Sequence, residues 1–182
     1  MIKASFWVPV SSIAFLLAGV HAAAAATSPV YTGIKSEEVV KRPGNYKSAD
    51  GLCSISLTTS DKGGFLRLGF QGARARLVND VTGVGYLTSN LVIYTVSPIY
   101  GRPGVYSYDC RSHRSKRIVS PRTKNEAYPD GADFFELKSL GKRVIYFYFA
   151  PDVDSVDFAT FRIDSFLYEV RPDGSGFRQT KQ

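Results

Sequence analysis

Histidine, cysteine, methionine and tryptophan are scarce in this chain: two, two, one and one among 182 residues. The scarcity of histidine excludes the most chemistry. Residues 1–26 read as a secretory signal peptide, with Lys3 in the positive n-region, an apolar stretch from Phe6 to Val20, and the alanines from Ala22 to Ala26 ahead of a cleavage point before Thr27. Cleavage there removes Met1, Trp7 and His21, so His113 is the only imidazole of the exported chain. A single imidazole excludes most histidine-built metal sites, and no serine-histidine-acid arrangement is legible around it. Two cysteines, Cys53 and Cys110, exclude a C-x-x-C redox motif. No later apolar run approaches the roughly 18 residues of a membrane helix, and no cysteine stands at the cleavage point to take a lipid. The mature chain is therefore expected to have no membrane span and to work in the periplasm or outside the cell.

What is present points to a β-rich domain. An even pair of cysteines in an oxidising compartment predicts one disulfide, Cys53 to Cys110. Period-two alternation marks strands at 53–58 and 66–70, with residues 61–64 as the turn of a hairpin. Ala73, Ala75 and Leu77 alternate with Arg74 and Arg76, a strand turning its arginines to solvent or to a ligand. Further strands are expected at 91–96, 105–110, 133–138, 143–149 and 161–170, with a short one near Phe177. The run at 144–149, apolar on both faces, reads as a central strand. Pro129-Asp130-Gly131 and Pro172-Asp173-Gly174 carry tight-turn chemistry. Residues 27–44 read as an arm or one short helix, 45–178 as the domain, and 179–182 as a frayed tail. The expectation is an all-β, single-domain antiparallel barrel or sandwich of about seven to nine strands with one disulfide. The segment Gly-Asn-Tyr-Lys-Ser-Ala-Asp-Gly-Leu-Cys-Ser-Ile-Ser-Leu at 44–57 resembles the first strands of small secreted protease inhibitors with lipocalin-like barrels, with Tyr46 where lipocalins carry tryptophan. No family membership is read from this one segment.

The formal net charge of +7 falls to +6 once Lys3 is removed, and it is unevenly spread. Residues 27–124 hold fifteen Lys and Arg against six Asp and Glu, whereas residues 125–174 hold five against ten. The densest cationic run is Arg111, Arg114, Lys116, Arg117, Arg122 and Lys124, with no acid among residues 111–124. Such a run suits an anionic polymer, bound in a salt-sensitive way; the expected partner is an anionic envelope polymer or an envelope protein, not nucleic acid. The competing reading is a solvated loop between strands. Tyr94, Tyr100, Tyr106, Tyr108 and Tyr128 lie near the run and could stack sugars, or form cross-strand pairs, the reading preferred here.

Other motifs are weaker. Asp152, Asp154 and Asp157 offer oxygen ligands without the glycine and distal glutamate of a calcium loop, and turn chemistry accounts for them. Ser139-Leu140-Gly141-Lys142 matches Ser-x-x-Lys in letters only, and Gly83 and Gly85 lack the helix of a nucleotide loop. No cofactor, catalytic residue or metal site is expected. The function expected is a non-enzymatic envelope binding protein, of the inhibitor or immunity type or one that binds an anionic polymer. The alternatives are a subunit of a secretion, adhesion or surface assembly, and a hydrolase using carboxylates such as Asp130, Asp133 and Glu136.

Overall fold

The computed structural model describes residues 29–61, 65–71, 76–97, 102–120, 134–150 and 166–180. The segment read as a signal peptide, Arg122, Lys124, Tyr100, Tyr128 and the aspartates at 130, 133, 152, 154 and 157 lie outside them. The described residues contain no helix and thirteen strands. These are β1 Thr32–Ile34, β2 Val39–Val40, β3 Gly44–Ser48, β4 Ser54–Thr59, β5 Leu66–Phe70, β6 Arg76–Thr88, β7 Leu91–Val96, β8 Gly104–Asp109, β9 Arg114–Val119, β10 Phe134–Gly141, β11 Val144–Ala150, β12 Phe166–Val170 and β13 Arg178–Gln179. Among them no helix is long and apolar enough to cross a membrane.

The strands form two sheets. The first runs β1-β3-β4-β5-β6-β7-β8-β9, with β2 beside the far half of β6, and the second runs β10-β11-β12-β13. The expected β4–β5 hairpin is present, Ile55 facing Phe70 and Leu57 facing Leu68. Every pairing is antiparallel except β1 with β3. The stretch expected as an arm or helix supplies β1 and β2 instead, strands too short to leave a periodic signal.

The first sheet curls. In a flat sheet β4 and β8 would stand about 19 Å apart. Yet Cys53, just before β4, and Cys110, just after β8, are joined with their Cα atoms 5.6 Å apart. Phe70 of β5 likewise stacks on Tyr108 of β8 with ring centroids 3.8 Å apart. The concave side encloses one core, including Ile55, Leu57, Leu68, Phe70, Val81, Tyr86, Val92 and Tyr94. The Tyr86 hydroxyl donates across it to the carbonyls of Tyr46 and Cys53.

The outer wall, β6 to β8, packs on the second sheet to make another core. It joins Leu87, Ile93 and Val105 to Phe135, Leu137, Leu140, Ile145, Phe147 and Val170. Strand β7 serves both cores: Val92, Tyr94 and Val96 face the first, and Leu91 and Ile93 the second. The strand read as central, β11, lies between β10 and β12 but is less enclosed, with Ile145 and Phe147 buried and Tyr146 and Tyr148 half-buried. Gly83 and Gly85 permit the close approach. A Cβ on Gly83 would stand 3.0 Å from that of Leu137, and one on Gly85 would stand 2.5 Å from the Glu38 carbonyl and 2.9 Å from Leu140.

Hydroxyls join the sheets along the edge of β10. Ser97 Oγ accepts from the Phe135 N–H at 2.5 Å and donates to the Phe135 carbonyl at 2.7 Å. Thr95 Oγ1 accepts from the Leu137 N–H at 3.0 Å, and Thr82 donates to the Phe135 carbonyl at 2.6 Å. Buried edge groups that would otherwise lack partners are thereby satisfied.

Arg76 is exposed, as expected of the arginines, but Leu77 is exposed too, and Ala73, Arg74 and Ala75 lie outside the described residues. Leu68 and Phe70 face the first core, and their cross-strand partners are Val78 and Arg76. Arg76 therefore shares the face of Phe70, while Leu77 points outward at 65% exposure. Register with an already buried neighbour sets the phase, and composition alone could not supply it.

Candidate functional site

Strands β8 and β9 form the terminal hairpin of the curled sheet, with Asp109 opposite Arg114 and residues 110–113 between. The loop is fixed at several points. The disulfide holds Cys110, whose N–H donates to the Asn90 carbonyl at 2.8 Å. The Asp109 carboxylate accepts from the N–H groups of Arg111 and Ser112 at 2.8 and 3.0 Å. These bonds, that from Ser112 foremost, hold its carboxyl below the usual carboxylate range. His113 closes the loop in the left-handed region at φ 54°, with Nδ1 3.0 Å from the Tyr108 hydroxyl.

The described part of the cationic run, residues 111–119, is thus a turn followed by a strand, and not a solvated loop. Its charge hid the strand, because an edge strand whose side chains meet water has no apolar alternation to read. Arg111, Arg114, Lys116 and Arg117 are all exposed. Strand geometry divides them between faces. Ser115 shares a 2.8 Å hydrogen bond with the buried Tyr94 hydroxyl, which puts it on the concave side. Arg117 pairs with Tyr106, whose ring stacks on that of Tyr94 at 5.3 Å, and lies on the same side. Arg114 and Lys116 alternate to the other face, where Lys116 Nζ donates to the Asp173 carbonyl at 3.2 Å. An irregularity in the β8–β9 register, between Val105 and Tyr106, lets Ile118 and Val119 both reach the second core.

The tyrosines follow the sheet reading: Tyr94 is the direct cross-strand partner of Tyr106. Tyr94 and Tyr108 are 1% and 3% exposed, and burial pushes both phenols above their ordinary pKa, against an opposing pull from the Arg76 guanidinium. Arg76 and Arg117 therefore both add positive charge to the aromatic side of the hairpin. The contribution of Arg76 follows from its pairing with Phe70, which places it on that side.

Among the described residues the ion pairs are Lys41 with Glu136, Arg67 with Asp61, and Arg178 with Glu169. None involves the hairpin cations, and Glu136, a carboxylate candidate, is held by Lys41. No group of three potential metal ligands occurs among the described residues. Ser139 and Gly141 close β10, and Lys142 lies in the turn that follows, a geometry without the helical turn that Ser-x-x-Lys chemistry needs. A hollow of about 180 Å³ lined by Val144, Glu169, Val170, Arg171, Gly176 and Arg178 lies on the second sheet. It falls below the roughly 300 Å³ at which ligand pockets begin. The exposed hairpin is the most chemically distinctive surface described. No protein-family model matches the chain, and no curated protein matches it in sequence.

Proposed function

We propose that this chain is an exported, non-enzymatic binding protein of the cell envelope that holds an anionic partner on its β8–β9 hairpin. One observation carries the reading: four exposed cations, Arg111, Arg114, Lys116 and Arg117, sit on a hairpin anchored by a disulfide, and none is in an ion pair among the described residues. The carboxylate of Asp109, at the end of β8, accepts from backbone N–H groups of the loop. A rigid cationic edge favours anions through charge and counterion release without a deep pocket. The signal-peptide segment and the cysteine pair support work in an oxidising compartment.

Retention of the oxidised protein on an immobilised anionic polymer, measured across a salt series, tests this. Replacing Arg111, Arg114, Lys116 and Arg117 by serine should abolish retention while leaving the circular dichroism spectrum unchanged. If all four cations make contacts, the slope of log K against log salt should fall by about 3. Equal retention of the variant and the parent would remove the hairpin from the function.

A further inference from the structure

The sheet edges are treated unequally. The edge of β10 is filled by the hydroxyls of Thr82, Thr95 and Ser97. Strands β1 and β13, of three and two residues, offer little edge to a neighbour. Strand β9 has six residues, and its only strand partner among the described residues is β8. The turn at Asp173 and Gly174 approaches one end of it, where a Cβ on Gly174 would stand 3.5 Å from the Ile118 carbonyl. Among the described residues no strand pairs with the outer side of the stretch from Arg114 to Arg117.

Charges on such an edge ordinarily deter indiscriminate strand pairing. They also select a partner of opposite charge, because residues opposite one another on paired strands interact directly. Here the cations flank the edge on both sides, Arg114 and Lys116 on one face and Arg117 on the other. A ligand lying along the edge meets both sets at once, and an extended peptide can also use the open backbone groups. From this geometry we infer that β9 is a strand-addition site for an extended acidic peptide segment of a partner protein, paired along Arg114 to Arg117. The inference rests on the cationic hairpin proposed above and specifies the partner it takes.

The test uses the full oxidised protein and the synthetic peptide Thr-Glu-Val-Glu-Val-Glu-Thr. A twin N-methylated along its central residues keeps the charge but cannot pair as a strand, and inorganic polyphosphate serves as a polyanion with no peptide backbone. Strand addition requires that the peptide bind, that the methylated twin fail, and that Arg114→Ser with Lys116→Ser weaken the peptide by about tenfold. Equal binding of both peptides, or binding of polyphosphate alone, overturns strand addition and leaves the anion-binding role standing. If neither the peptides nor polyphosphate bind at low salt, both readings fall.

Discussion

Asp109 shapes the hairpin loop through its charge. Its carboxylate, fixed by the N–H groups of Ser112 and Arg111, has a folded pKa depressed below the usual 3.8. A depressed carboxyl stabilises the fold above its unfolded pKa and loses that contribution as pH falls through the folded value. Asp109→Ala should cost about 1 kcal/mol near neutral pH, below the usual range for charged hydrogen bonds because the half-buried group is screened by solvent. The difference between variant and parent, read from urea unfolding at stepped pH, should narrow below pH 3.8. A gap that persisted there would mean that Asp109 acts by packing. At Gly85 the constraint is steric, since the Glu38 carbonyl and Leu140 occupy the space that any side chain would need.

Among the strands, β10 depends most on a neighbouring sheet, because hydroxyls of β7 and its flank take the place of a pairing strand. Thr95→Val keeps the side-chain shape and leaves the Leu137 N–H without a described partner, and Ser97→Ala does the same for Phe135. Each should lower stability by about 1–3 kcal/mol, seen as a drop of about 2–4 °C in Tm per kcal/mol. Unchanged melting in both would show that the seam contributes nothing. Alternation made β4, β5, β8 and β10 legible in the sequence, since each sets apolar residues against a core at every second position, and unbroken apolar runs marked β7 and β11. It missed β9, where cations stand on both faces and only Ile118 and Val119 are apolar. The cationic cluster itself was legible from composition. Its division between two faces was not, because that follows from Ser115 meeting Tyr94 across the curl, a contact between residues far apart in the chain.

For the whole molecule, the disulfide is the long-range tie. It spans 57 residues and joins strands well separated in the sheet order. Replacing both cysteines by serine should remove about 4 kcal/mol by the chain-entropy estimate. Amide exchange should accelerate most around residues 110–115, where the bond anchors the hairpin, and less in the second sheet, which it does not touch. Uniform acceleration throughout would mean that the two sheets unfold as one unit.

The hydroxyl seam also joins the edge of β10 to a surface built from earlier parts of the chain. A chain emerging N-terminus first completes β7, with Thr95, and the neighbouring Ser97 before β10 is available, so the receiving surface precedes the strand that docks on it. The reverse order would leave the amides of Phe135 and Leu137 turned to water on an unprotected edge. The N-terminal curl thereby carries the groups on which the edge of β10 docks, and that edge is shielded from foreign strands once Ser97 and Phe135 meet.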